Sequence, residues 1–195
     1  VAGEKDDASK PEISMRRIAA LLLLFVQFPL SAIANPQAEE HVQAVVQSIH
    51  AEQDGALAAA LVEEIDISRT SRFVLGRHLR DATPAQIEAF ESRFRAYLVS
   101  FLSGRTDELA QAKIEIVGSS DRNPGDSIVT TRVSSPFREP MIMRWRLIER
   151  ENAWRLVDVE VHGIWLAIEQ RAQIASLLDR KDVGIGDLYS GQEVR

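Results

Sequence analysis

Apolar positions along the chain follow three regimes. From residue 38 to residue 104 they recur at steps of three and four, from 113 to 161 at steps of two, and after 163 the helical step returns. The first regime predicts four helices. Ala38 to Gln53 is amphipathic through Val42, Val45, Val46 and Ile49, and Asp54-Gly55 breaks it. Ala56 to Ile65 is alanine-rich, and Ser68 to Leu79 centres on Phe73, Val74 and Leu75. Thr83 to Gly104 carries its own boundaries. Thr83 suits the N-cap, Pro84 the first helical position and Gln86 the capping-box partner, and Gly104 suits the closing residue. Ile87, Phe90, Phe94, Tyr97, Phe101 and Leu102 give this helix an aromatic face about 30 Å long. Such a stripe is either core or one wall of an apolar pocket.

The second regime predicts four strands joined by turns: Lys113 to Val117, Ser127 to Ser134, Met141 to Ile148 and Trp154 to Val161. Ser119 to Asp126 reads as the first turn and Arg150 to Asn152 as the last. Met141, Met143, Trp145 and Leu147 share one face, and Arg144 and Arg146 point to the other. Val157, Val159 and Val161 align along the fourth strand. A helix over Ile164 to Leu178 and a short one over Asp182 to Tyr189 complete the chain. Helices, then an antiparallel meander, then helices predict an α+β fold, with a four-stranded antiparallel sheet covered by N-terminal and C-terminal helices over one face. Met141, Met143 and Trp145 are either plain sheet core or adaptable lining for a flexible apolar ligand, and Trp165 is either core or a pocket lip.

The first residues change the picture of where the chain works. Met15-Arg16-Arg17 opens a charged segment, Ile18 to Val26 is an apolar run, and Ala32-Ile33-Ala34 is a cleavage signature. This is the pattern of a secretory signal peptide cut before Asn35, and the run is too short for a membrane span. Residues 1–14 read as an upstream extension of the reading frame, so 1–34 is extension plus leader and 35–195 a single domain of periplasmic destination. The chain has no cysteine, which removes a lipoprotein anchor, disulfides, thiol nucleophiles and thiolate metal sites. The domain must therefore depend on its hydrophobic core. Net charge is −6, with no basic run or RNP-like pattern, which argues against nucleic acid as a partner. Arginine outnumbers lysine nineteen to four, a bias read here as compositional.

Catalytic signatures are sparse. His41 and His50, nine residues apart on one helix, lie on opposite sides and cannot share a metal. His78, between Arg77 and Arg80, reads as a surface residue. His162 follows a strand and is within sequence reach of Asp158 or Glu160, the one arrangement open to acid–base chemistry of an isomerase or dehydratase type. No G-x-S-x-G, P-loop or dinucleotide fingerprint is present.

Two segments carry a family resemblance. Asp66 to Phe101 contains Val74-Leu75-Gly76, then the helix start Ala82-Thr83-Pro84-Ala85-Gln86, then Phe90 and Phe94. Trp154 to Leu178 contains the strand WRLVDVEV, the bend Val161-His162-Gly163-Ile164 and the helix run Gln170-Arg171-Ala172-Gln173. In this register the chain resembles the toluene-tolerance/phospholipid-binding family, the periplasmic shuttles of the Mla pathway that maintains outer-membrane lipid asymmetry. It departs from the family pattern at Leu79, where an aromatic is usual, at Trp165, where a small serine is usual, at Phe101, near an expected tyrosine, and at Ile174, where phenylalanine is frequent. These departures leave room for the hopanoid-associated branch of the family.

The resemblance implies a monomeric, non-enzymatic carrier with no cofactor, whose cargo is a bound phospholipid or related lipid. Its expected partners are an inner-membrane ABC lipid-transport complex and an outer-membrane lipoprotein–porin complex. It further implies that sheet and helices enclose an acyl-chain cavity with the headgroup near solvent. An apolar cavity of this kind needs no charged headgroup clamp, because each buried methylene contributes about 0.8 kcal/mol. Apolar faces and family position together point to Phe73, Val74, Phe90, Phe94, Tyr97, Phe101, Met141, Met143, Trp145, Val159, Ile164 and Trp165 as the lipid-binding residues.

Overall fold

Capping chemistry defines the helices in the computed structural model, which describes residues 34–51, 56–136 and 138–190. The leader, Ala34 apart, and the Asp54-Gly55 break lie outside these residues. Helix α1 (Pro36–Ala51) starts where the Asn35 side-chain oxygen accepts from the Ala38 N–H at 3.0 Å, and it buries Ala38, Val42, Val45, Val46 and Ile49 on one face. After α2 (Leu57–Glu63), Asp66 caps α3 (Ile67–Leu75) by accepting from the Arg69 N–H at 2.9 Å. Gly76 ends α3 at φ +55°, and a Cβ there would meet the Arg171 guanidinium at 3.0–3.2 Å, so both backbone and space call for glycine. A 3-10 turn over Gly76–Arg80 leads to α4 (Pro84–Ser103), where the expected Thr83–Gln86 capping box is formed in both directions. The short α5 (Thr106–Gln111), which the sequence pattern does not announce, follows.

The sheet is a meander with five strands in the order β1-β2-β3-β4-β5, each neighbouring pair antiparallel. Its members are β1 (Lys113–Asn123), β2 (Asp126–Ser135), β3 (Arg138–Arg150), β4 (Ala153–Val161) and β5 (Ile164–Trp165). The turns between β3 and β4 (Glu151, Asn152) and between β4 and β5 (His162, Gly163) place both central residues at positive φ, the geometry that matches strand twist in a two-residue hairpin. Three expectations change here. The sheet has five strands, not four, because the His162-Gly163 hairpin returns Ile164 and Trp165 to pair with Val161 and Glu160 before α6 (Leu166–Leu178) begins. Strand β1 runs on through the serines to Asn123, so the first turn narrows to Pro124-Gly125. Finally, Val157 does not align with Val159 and Val161. Arg146 pairs with Asp158 and Leu147 with Leu156, which leaves Val157 as the extra residue of a β-bulge.

The alternation along β2, β3 and β4 gives the sheet two unlike faces. On one, the cross-strand rows Ser127–Leu147–Leu156, Val129–Trp145–Val159 and Thr131–Met143–Val161 form an apolar surface packed under α1 and α2. The Trp145 indole N–H, buried there, donates to the Thr131 hydroxyl at 3.0 Å. On the other face lie Ile128–Arg146–Asp158 and Thr130–Arg144–Glu160–Trp165. Helices α3 and α6 approach this second face along β4, so helices stand over both faces where one was expected.

A second core is purely helical. Val74 and Leu75 of α3, Phe90 and Phe94 of α4, Ala167 and Ile174 of α6, and Ile185 and Leu188 of the C-terminal segment are buried together. The aromatic stripe of α4 is covered by that C-terminal segment, which carries a 3-10 turn over Ile185–Asp187. The Tyr189 ring lies 4.6 Å from Tyr97 and 5.7 Å from both Phe90 and Phe94, centroid to centroid. Arg93 holds the segment in place, donating from Nε to the Leu188 carbonyl at 3.0 Å and from Nη2 to the Ile185 carbonyl at 3.2 Å. No helix among the described residues is long and apolar enough to cross a membrane.

This division of the stripe sets a measurable contrast. Phe90 is fully buried and Phe101, at the far end of the same helix, is 38% exposed. Phe90→Ala is expected to cost about 3–5 kcal/mol in urea unfolding and Phe101→Ala less than about 1 kcal/mol. Similar costs at the two positions would contradict the arrangement.

Candidate functional site

Between α3, α6 and the second face of the sheet runs a cleft of about 540 Å³, open to solvent. Arg69, Thr70 and Phe73 line it from α3, Arg122 and Ile128 from β1 and β2, Arg146, Val157 and Asp158 from β3 and β4, and Trp165, Ala167 and Ile168 from β5 and α6. Three of the apolar wall residues, Val157, Trp165 and Phe73, are placed by local structure. The β4 bulge turns Val157 away from the aligned valines, and its carbonyl accepts from the Thr70 hydroxyl at 3.2 Å, tying α3 to the strand. The β4–β5 hairpin places Trp165 opposite Glu160. Phe73, 37% exposed, faces outward from α3 while Val74 beside it is buried, and the Arg171 guanidinium lies 5.0 Å from the Phe73 ring centre.

The polar floor is organised by carboxylates. Asp126 receives a bidentate pair from Arg146, Nε to Oδ1 at 3.0 Å and Nη2 to Oδ2 at 2.9 Å, and Arg122 stands 3.8 Å from the same carboxylate. Asp158 Oδ1 accepts from the backbone N–H of Val159 and of Ala167, each at 2.8 Å, and so anchors the start of α6 to β4. Burial pushes the Asp158 carboxyl above the ordinary aspartate range. The two backbone N–H groups and Arg146 pull it down, and Glu160 adds a smaller upward push. Glu160 itself holds Arg144 at 3.0 Å through both oxygens. A cleft that combines apolar walls with guanidinium groups in its lining can hold an amphiphile.

The twelve residues expected to bind lipid do not converge on one cavity. Phe73 and Trp165 line the cleft, and Ile164 stands beside Trp165, 53% exposed. Val74, Phe90, Phe94 and Tyr97 belong to the helical core under Tyr189. Met143 and Trp145 are buried in the α1-side core with Met141 and Val159 packed against it, on the sheet face opposite the cleft. Phe101 lies at the end of the stripe with the Arg105 guanidinium 3.9 Å above its ring. The sequence reading missed Arg69, Thr70, Arg122, Ile128, Arg146, Val157, Asp158, Ala167 and Ile168 as cleft residues. Alternation had already placed Arg146 opposite the Met–Trp face, and that is the signal which would have found the floor.

The pairing of His162 with a nearby acid does not form. His162 is exposed at the hairpin tip, with φ +52°. Asp158 is engaged by two backbone N–H groups and Glu160 by Arg144. Among the described residues no group of three or more His, Cys, Asp or Glu side chains could hold a metal ion.

Comparison with known proteins decides the family. Residues 37–190 match the model of the MlaC protein family. The chain belongs to the MlaC family. A solved structure of similar architecture is that of the phospholipid-binding protein from Ralstonia solanacearum, determined in complex with a phospholipid. It superposes with a TM-score of 0.65 at 21% identity over 80% of this chain and 92% of that one. No curated protein sequence matches the chain. The MlaC match spans both motif segments, and in this chain they meet at the cleft: Phe73 precedes Val74-Leu75-Gly76, and Asp158 and Trp165 lie in and after the WRLVDVEV strand.

The raised pKa of Asp158 gives a signed pH dependence. Its folded-state value lies above that of the unfolded chain, so its contribution to stability is full below about pH 4 and is lost as pH rises through the raised value. Asp158→Asn keeps an oxygen to accept from Ala167 and Val159 and cannot ionise. Between about pH 4 and neutrality the wild type is expected to lose stability relative to this variant in urea titrations. Parallel profiles for the two proteins would remove burial as the dominant influence on the carboxyl.

Proposed function

We propose that this MlaC-family protein is a periplasmic phospholipid-binding shuttle without enzymatic activity, and that the cleft between α3, α6 and the sheet holds its cargo. The observation that carries this reading is the set of apolar side chains that line one cleft: Phe73, Ile128, Val157, Trp165 and Ile168. Phe73 and Ile168 are 37% and 54% exposed, and exposed large apolar side chains grouped around a concavity mark a binding site. A cleft of about 540 Å³ is of ligand-pocket size, and acyl burial at about 0.8 kcal/mol per methylene supplies affinity without chemistry.

In this reading the cargo passes between an inner-membrane ABC lipid-transport complex and an outer-membrane lipoprotein–porin complex, as the family resemblance implies. The net charge of −6 suits a carrier that must leave anionic membrane surfaces after loading. A carrier that binds both membranes' partners moves lipid down whatever free-energy gradient they set, so direction belongs to the system and not to this chain.

Mass spectrometry of the purified protein, native and after organic extraction, tests the proposal. A stoichiometric two-chain phospholipid is expected, and it should be depleted in the folded double variant Trp165→Asp, Ile168→Asp. His162→Ala should retain it. An empty protein that also refuses added lipid would end the carrier reading, and a bound polycyclic lipid would move the protein to the hopanoid-associated branch.

A further inference from the structure

The cleft contains more positive charge than its own carboxylates neutralise. Arg69, Arg122 and Arg146 line it, against Asp158 in the lining and Asp126 beneath Arg146. Asp126 is shared: each of its oxygens accepts from the Arg146 fork, and Arg122 reaches it only at 3.8 Å. Asp158 turns one oxygen to two backbone N–H groups and makes no ion pair with any of the three arginines. The Arg69 side chain has no hydrogen-bond or ion-pair partner among the described residues, although α3 holds its backbone firmly through the Asp66 cap. Arg69 also borders an adjoining depression lined by Asp126, Glu149 and Glu151, but the two glutamates do not line this cleft, and Glu151 stands 3.5 Å from Arg150. In a chain of net charge −6, the cleft therefore keeps about one formal positive charge next to apolar walls.

Guanidinium groups have a definite preference for such a setting. Their planar fork matches the oxygens of a phosphate or carboxylate, and they tolerate desolvation better than an ammonium. A singly charged phosphodiester would neutralise the residual charge without displacing the Arg146–Asp126 pair. With the phosphate at the arginines, apolar chains attached to it would pack against Phe73, Val157, Trp165 and Ile168, which line the same cleft. A neutral polycyclic or diacyl lipid would fill the same walls and leave Arg69 without a partner and Arg122 with only its 3.8 Å approach to Asp126.

We infer that Arg69 and Arg122, together with Arg146, form a headgroup-phosphate subsite in the cleft, making the protein selective for phosphate-bearing lipids over neutral lipids of the same chains. The inference rests on the carrier function proposed above, and it replaces the expectation that no headgroup clamp is needed. Arg146 serves mainly as a positioning residue, because its fork is already committed to Asp126.

The test is competitive native mass spectrometry on the delipidated full protein offered phosphatidylglycerol and diacylglycerol with identical acyl chains. The wild type is expected to favour phosphatidylglycerol by on the order of tenfold or more, the scale of hydrogen bonds to a charged group. Arg69→Gln and Arg122→Gln should each narrow that ratio several-fold. Arg69→Lys, which keeps the charge but not the fork, should narrow it less than Arg69→Gln. Equal uptake of the two lipids by the wild type, or unchanged ratios in both glutamine variants, overturns the subsite and leaves the carrier function standing. Uptake of neither lipid overturns the carrier function itself. Inorganic phosphate is the final arm. If it binds the lipid-free protein and expels phosphatidylglycerol, the site is one for free anions and the headgroup assignment is wrong. If it does neither, the assignment holds.

Discussion

One carboxylate oxygen ties the two halves of the molecule together. Asp158 Oδ1 accepts from Val159 on its own strand and from Ala167 in the first turn of α6, each at 2.8 Å. The strand-to-helix connection is thereby fixed at both ends, and the side chains just around it, Trp165 and Ile168, are aimed at the same concavity as Phe73 of α3. Helix α3 is held to the same strand from its other side, by the Thr70–Val157 hydrogen bond and by the Asp66–Leu156 and Leu156–Glu64 backbone bonds. The cleft is the space these two tethers leave between the helices and the sheet. A half-buried acid is a costly choice for such a tether, and the upward push on its pKa records the cost.

The cleft stays open because the other apolar surfaces are satisfied internally. Trp145, Met143 and Leu147 are filled in by α1, and the α4 aromatics are closed over by Tyr189 with Arg93 pinning its segment. That cover has a defect of its own, since the Tyr189 hydroxyl is buried without a hydrogen-bond partner and burial raises its pKa. Ring stacking on Tyr97 and contact with Phe90 and Phe94 outweigh one unsatisfied hydroxyl. Among the apolar side chains left exposed, Phe73 of α3 and Ile168 of α6 gather around one concavity.

Much of the architecture was legible in the sequence because it is written in local chemistry. The capping box at Thr83 and the alternation through Met141 to Leu147 each have one structural reading, and the structure has it, whereas the helix expected over Ser68 to Leu79 ends at Leu75 because Gly76 takes a positive φ. The cleft was harder to see. A period of two assigns Val157 to the face of Val159, and only the pairing of β4 with β3 shows the bulge that turns it over. Apolar periodicity also cannot say what covers a stripe. It ranked Phe90 and Phe94 with Phe73, although a C-terminal segment almost a hundred residues away closes over the first two and leaves the third exposed. The arginines were read as composition because their meaning depends on which carboxylates stand beside them, and Asp126, Arg122 and Arg146 meet only when β1, β2 and β3 pair. Trp165, singled out as a departure from the family pattern, turned out to stand in the cleft wall.

In the proposed carrier, lipid occupies the cleft side of the sheet and not the α1 side. Its three tryptophans make the protein a reporter of that distinction, because Trp165 lines the cleft while Trp145 and Trp154 are buried in the α1-side core. Fluorescence quenching by a phospholipid with brominated acyl chains, in proteins that keep one tryptophan and carry phenylalanine at the other two positions, reads it directly. Strong quenching of the protein that keeps Trp165, with little in the protein that keeps Trp145, is the predicted result. Quenching confined to Trp145 would put the acyl chains against the opposite face and contradict the account.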